Sequence, residues 1–306
     1  MIVATIIVFD DYGPPDVLHP VEVADPEPGP DQVRIRVKVA GVQPFDCATR
    51  HGDYAQYTPL QMPARLGNEA AGVVDQVGRD VTGISPGDEV IAFMTMLGYA
   101  DTVVVPANQV TQKPSELPWP EAGVLSASGQ TASTALDELQ IGPGDTLLVH
   151  AAAGGVGSFA VQIARARGAT VIGTASERNH DYLRSLGALP VTYGPGLEER
   201  VRAIAPQGVD AVLDAIGGEA LDASVKLVSD TARIVTIADW TAPARLGVRR
   251  IGTDRSVQRL NELTRLYQDK KLIVPVSRTF PLARAADAHR EVETGHVRGK
   301  VALTVD

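Results

Sequence analysis

The stretch His150-Ala151-Ala152-Ala153-Gly154-Gly155-Val156-Gly157 packs small residues between an apolar run at 146–151 and a segment of helical spacing at 156–167. Glycines between a strand and a helix let the backbone approach a bulky anion, and the amide N–H groups that open a helix receive its charge. The chemistry such a turn supports is the binding of a pyrophosphate, and Ala153, Gly154, Gly155, Val156 and Gly157 are the candidate contacts. Laid on G-x-G-x-x-G, the register falls on Ala152, Gly154 and Gly157, so an alanine stands where the first glycine belongs. A plain tight turn is the alternative. The strand before, the helix after and the repeating pattern beyond favour a dinucleotide.

The end of the next strand decides which dinucleotide. An NAD site offers a carboxylate there, about 20 residues past the turn, to hold the ribose 2′-hydroxyl. Here the chain reads Thr174-Ala175-Ser176-Glu177-Arg178, with Ala175 or Ser176 at the expected place. A small residue leaves room for a 2′-phosphate, with the Ser176 hydroxyl as donor and the Arg178 guanidinium as countercharge. NADPH is therefore the expected cofactor. The competing reading gives the ribose to Glu177 and leaves Arg178 in solvent.

These residues need a scaffold. Strand-like pieces at 146–151, 170–174, 209–215 and 232–238 alternate with helical ones at 156–167, 178–186 and 220–228. That alternation predicts a doubly wound parallel sheet with right-handed crossovers, a Rossmann domain over 126–266. Before it, 33–39 (VRIRVKV) alternates strictly, the period of a half-buried strand, and short strands at 70–77, 89–93 and 102–105 are separated by turns such as Ser85-Pro86-Gly87-Asp88. Residues 1–125 thus read as a β-rich domain, rejoined by 267–306, whose last strand is expected at 301–305.

The 306 residues carry 28 Lys and Arg against 37 Asp and Glu, a net charge of −9, which excludes the clustered basic surface a nucleic-acid partner requires. One cysteine, Cys47, excludes an intramolecular disulfide and a cysteine-built zinc site. No apolar run has the length of a membrane span and the start lacks the features of a secretory signal, so a cytoplasmic protein is expected.

A longer signature resembles a known family. Gly144-Asp145, Leu148, Ala152-Ala153-Gly154-Gly155, Gly157, Gln162 and Arg165 are similar to the quinone oxidoreductase and zeta-crystallin branch of the medium-chain dehydrogenase/reductases. So are 41–46 (GVQPFD), 67–72 (GNEAAG), 86–90 (PGDEV) and Gly299-Lys300-Val301. The resemblance implies a GroES-like catalytic domain joined to the Rossmann domain, an NADPH-dependent reductase of quinones or enones, and a homodimer. It places Tyr193 beside the 2′-phosphate, Lys300 near the cofactor phosphates and Thr131 toward the nicotinamide. For Lys300 an exposed strand end, and for Thr131 a plain helix-start residue, are the alternatives.

Zinc enzymes of this superfamily have Cys where Gln43 stands and His where Asn68 stands, so the resemblance implies no metal, amides being poor zinc ligands. Without a Lewis acid, a conjugated acceptor is the easier substrate, because charge from hydride addition delocalises onto its oxygen. Gln43, Tyr54 and Asn68 are the implied catalytic donors; the alternatives are that Gln43 and Asn68 only satisfy local backbone groups and that Tyr54 is a partly buried pocket wall. Asp46 and Glu69 read as turn and ion-pair residues, with a proton relay as the alternative, and Met94–Gly98 and Trp240 as pocket walls or ordinary packing. The chain departs from relatives at Gln43, often Asn, at Ala48, an aromatic position, and in a short 239–252 segment that bears on the dimer interface. Alternatives are an alkenal or enoyl double-bond reductase and, in another class, a non-catalytic NADPH-binding sensor or accessory protein.

Overall fold

The computed structural model describes residues 3–305; the termini of the two expected ranges at 1–2 and 306 lie outside the described residues. The chain forms two compact units. One comprises the chain to Ala127, Ser256–Thr264 and the chain from Val274; the other comprises Ser128–Arg255 and Arg265–Ile273.

In the first unit the alternating segment becomes the strand Gln32–Val42. Val33, Ile35 and Val37 turn into a core shared with Val74, Val90, Val103 and Val105. The opposite face carries arginines whose charge is neutralised in place. Arg34 makes a two-pronged contact with Asp75 at 2.8 and 2.9 Å, and Arg36 reaches both Asp25 and Asp75. Among the described residues this strand belongs to a seven-stranded sheet. Glu69–Val77 pairs antiparallel along one side, continuing into Glu89–Phe93, and Lys300–Thr304 pairs antiparallel so that Val301 faces Val42. A smaller sheet places Val3–Phe9 between His19–Ala24 and Ala64–Arg65.

The second unit holds six parallel strands among the described residues, in the spatial order Leu189–Val191, Thr170–Thr174, Thr146–Val149, Ala211–Asp214, Ile234–Thr236, Arg249–Arg250. In chain order this is 3-2-1-4-5-6, the arrangement of dinucleotide-binding sheets, with the reversal beside Thr146–Val149. The helices Gly155–Ala166, His180–Ser185, Leu197–Ile204 and Glu219–Ser224 make the crossovers. Leu189–Val191 was not expected from the sequence. It contains Pro190, which a sheet tolerates only at an edge, and this strand is an edge. Trp240, expected in a pocket wall, lies under the Arg250 guanidinium at 3.3 Å with much of its surface exposed. Met94 packs into the first unit's core. Among the described residues no helix is long and apolar enough to cross a membrane.

Candidate cofactor and active site

The glycine turn begins where the strand Thr146–Val149 ends. Ala151 takes a left-handed backbone (φ 52°), and Gly154 precedes the helix Gly155–Ala166 in an extended conformation without a side-chain cap. Ser158 N–H donates to the Gly154 carbonyl at 2.9 Å, the first bond of the helix. The amides of Gly155, Val156 and Gly157 therefore have no intrahelical acceptor and point outward from a positive helix end. Gly157 permits no side chain: a Cβ there would stand 2.4 Å from the Ala151 carbonyl oxygen and 2.6 Å from Ala152 Cα. The alanine in place of the first glycine is accommodated from the neighbouring strand. A Cβ on Gly173 would meet the Ala152 methyl at 2.8 Å, so a glycine at 173 makes the space that Ala152 fills.

The other cofactor candidates of this unit gather at the carboxyl ends of adjacent strands, where such sheets bind ligands. Thr174 pairs with Val191, and Ser176 and Tyr193 each follow two residues later. Ser176 is half-buried and receives Asn179 Nδ2 at 3.3 Å; Arg178 is exposed and, among the described residues, has no ion-pair partner. Glu177 opens the short 3-10 turn Glu177–Asn179 beyond the strand end, and Ala175 is buried with its amide bonded to the Val191 carbonyl. Tyr193 is 57 % exposed. Its loop is held by Arg200, a residue the sequence reading missed, whose guanidinium donates to the carbonyls of Thr192, Tyr193, Gly194 and Pro195 at 2.8–3.2 Å. Thr131 is the sixth residue of the helix Ser126–Glu138 rather than a helix start, and its hydroxyl lies 2.7 Å from that of Thr253. His150 is buried between Ser224 Oγ (2.7 Å) and Thr174 Oγ (3.2 Å), and burial lowers its pKa to about 4, so it stays neutral and ties the end of the strand Thr170–Thr174 to the helix Glu219–Ser224.

In the first unit Gln43 and Asn68 converge on one buried carboxylate. Gln43 is the N-cap of the helix Pro44–His51, and Asp46, three residues on, accepts the Gln43 backbone amide at 2.9 Å. Asp46 also accepts Gly67 N–H (3.3 Å), Asn68 Nδ2 (3.0 Å) and the Tyr99 hydroxyl (3.3 Å), which in turn lies 3.0 Å from His289 Nε2. Burial raises the Asp46 carboxyl to about 6, against the pull of the Gln43 and Gly67 amides, the Lys300 charge and the Tyr99 hydroxyl. The short spacing Gln43–Asp46 was the available signal for this hub; the role of Tyr99 had none. Tyr54 stacks on Phe45 with centroids 5.4 Å apart and planes tilted 22°.

Lys300 requires a correction. It is not the exposed strand end of the alternative reading, because its ammonium is directed inward at 3 % exposure. It donates to Gln43 Oε1 at 2.5 Å and pairs with Glu69 Oε1 at 3.2 Å. The same Glu69 oxygen accepts Gln43 Nε2, and its second oxygen accepts Ala127 N–H at 2.6 Å. These residues do not fit zinc. The donors at the two marked positions are amides, the adjoining carboxylates are saturated by N–H and ammonium donors, and no group of three His, Cys, Asp or Glu residues among those described could hold a metal.

Residues 29–115 match the model of the alcohol dehydrogenase GroES-like domain, and residues 186–303 match that of a zinc-binding dehydrogenase. The chain is 32 % identical over 311 residues to the chloroplastic NADPH-dependent alkenal/one oxidoreductase of Arabidopsis thaliana, covering 97 % of this chain and 78 % of that one. It is 35 % identical to the polyketide synthase GfsB of Streptomyces halstedii over 90 % of its own length, yet spans only 5 % of that protein. Among solved structures, the quinone oxidoreductase from Coxiella burnetii superposes with a TM-score of 0.89 at 33 % identity, with 100 % of each chain covered.

Proposed function

Because the chain belongs to the medium-chain dehydrogenase/reductase family, in its quinone oxidoreductase and zeta-crystallin-like branch, we propose that it reduces quinones or other conjugated carbonyl acceptors at the expense of NADPH. One observation carries the cofactor half of this reading: three amides at 155–157 without intrahelical acceptors lie at the carboxyl edge of a sheet on which Arg178, with no ion-pair partner among the described residues, follows a small strand-end residue. In the proposal the diphosphate rests on Ala153 and the amides of 154–157. Ser176 and Arg178 hold the 2′-phosphate, Tyr193 packs beside it, and Thr131 faces the nicotinamide. NADPH bound there supplies the hydride.

The remaining work falls to the protein's own side chains. Reduction of a conjugated carbonyl places negative charge on oxygen, and Gln43, Asn68 and Tyr54 are the donors assigned to stabilise it. Asp46 fixes the first two by holding the Gln43 backbone and the Asn68 amide. Solvent supplies the proton. The test is a fluorescence titration of the full chain with NADPH and NADH, followed by steady-state rates with quinones and enones. Tighter NADPH binding and turnover of quinones are expected; indifference to both nucleotides would overturn the reading.

A second reading, reduction of an alkenal or enoyl double bond, is favoured by the similarity to an alkenal/one oxidoreductase and to a segment of a polyketide synthase. Higher kcat/KM with an enal or enoyl thioester than with any quinone would decide for it.

A further inference from the structure

From the buried contacts of Lys300 we infer that it is a positioning residue: with Glu69 it fixes the Gln43 side chain in one orientation and strengthens its N–H as a donor. The inference rests on the proposed reductase reading for its consequence in turnover, and on geometry alone for its structural part. An amide can present either end to a ligand, and rotation by half a turn exchanges them. Here the two ends meet opposite charges. An ammonium has only protons to give and a carboxylate only lone pairs, so Oε1 must face Lys300 (2.5 Å) and Nε2 must face Glu69. Turned over, the amide would set N–H against NH3+ and C=O against a carboxylate.

The lock is anchored on both sides. Lys300 opens the strand Lys300–Thr304, whose backbone is paired to Gln32–Val42, and its own amide donates to Pro275 at 2.9 Å. Glu69 opens the strand Glu69–Val77, and its second carboxylate oxygen takes the Ala127 amide in the first turn of the helix Ser126–Glu138. Both side chains are buried, so solvent screens little of the interaction.

A cation on the carbonyl oxygen also draws electron density out of the amide nitrogen, which makes its N–H groups better donors. The site therefore favours a hydrogen-bond acceptor, a carbonyl or developing oxyanion, over a hydroxyl at Gln43. The geometry needs the length of glutamine. An asparagine at 43, one methylene shorter, would not reach both partners.

Lys300→Met alone would strand a buried carboxylate and risk misfolding, so the informative variant is Lys300→Met/Glu69→Gln, with Lys300→Arg as the conservative rescue and thermal melting as the check on folding. The readout is the side-chain amide region of the 1H–15N spectrum of the full chain, with the Gln43 pair assigned by its loss in Gln43→Leu. In the parent the Gln43 protons are expected downfield of ordinary glutamine amides and slow to exchange. In the double variant they return to the ordinary range, and Lys300→Arg keeps the shift. Turnover of a quinone or enone falls about tenfold in kcat in the double variant, with KM for NADPH within twofold, and Lys300→Arg restores it. Gln43 signals that stay in place in a folded double variant would overturn the positioning role. A parent that reduces no acceptor would sink the reductase reading, while the amide spectrum would still decide the role of Lys300.

Discussion

Replacing Gly157 by alanine isolates the glycine turn from everything else in the molecule. The added methyl carbon would stand 2.4 Å from the Ala151 oxygen, 0.6 Å inside the 3.0 Å that real Cβ contacts respect, and 2.6 and 2.8 Å from Ala152 backbone atoms. All three neighbours are backbone, so no side chain can swing aside; the helix Gly155–Ala166 must lift from the turn. Overpacking of this kind costs about 1–3 kcal/mol, a fall in melting temperature of roughly 2–5 °C for a chain of this size. The same displacement carries the amides of 155–157 away from the diphosphate. Losing one charge-assisted hydrogen bond corresponds to about 1.5–3 kcal/mol, or roughly 10–100-fold in Kd for NADPH. Gly142→Ala is the matched control, because a Cβ at Gly142 meets nothing within 4 Å and its φ is not in the left-handed range. Differential scanning fluorimetry and cofactor fluorescence titration read both effects. A Gly157→Ala protein that melts and binds NADPH like the Gly142→Ala control would refute the packing argument and the phosphate assignment together.

Arg178→Ala is expected to weaken NADPH about tenfold and leave NADH unchanged, since only the former carries the phosphate that the guanidinium would meet; equal losses in a two-ligand titration would speak against that role. Arg200→Met removes the four carbonyl contacts of the loop carrying Tyr193 and should cost about 1–2 kcal/mol in denaturant melts, with weaker NADPH binding as the loop loosens. A stable variant with native affinity would show that the loop holds itself. In acid, two buried histidines and one buried carboxyl act in opposite directions. His150 and His289 titrate at about 4 and about 3 when folded, lowered mainly by burial from 6.5, so the stability they contribute above pH 6.5 is lost as pH falls. Asp46, raised to about 6 by burial, contributes stability that is full below its ordinary 3.8 and is lost as pH rises through 6. Around pH 5 the unfolded chain holds about two of these protons and the folded chain about one, a net slope of about 1.4 kcal/mol per pH unit toward lower stability in acid. In His289→Gln that part of the slope should fall to near zero in melts at pH 4, 5 and 6; a slope equal to the parent's would show that His289 is charged in the fold.

The legible parts of this molecule are those whose physics is local. The period of 33–39 announces a strand with one buried face, and the small residues at 150–157 announce a strand–turn–helix, because side-chain period and backbone approach are set by neighbours in sequence. The doubly wound parallel sheet followed from the same kind of signal, and the GroES-like domain from the resemblance. What escaped was set by distant partners. Lys300 and Gln43 are 257 residues apart, so nothing near Lys300 indicates that its charge turns inward. Arg200 looks like any helical surface arginine until its loop folds back over it. Ala152 reads as a defect in the glycine pattern, and only the strand pairing of Gly173 with Val149 shows where the missing space went.

The pairing of Lys300–Thr304 with Gln32–Val42 also sets an order of assembly during synthesis. Among the described residues every strand of the parallel sheet has been synthesised once Arg250 is added, whereas the other sheet lacks the strand beside Val39–Val42 until about fifty further residues have followed. Until then Glu69 has no cationic partner, and a nascent chain released short of Lys300 keeps that carboxylate uncompensated.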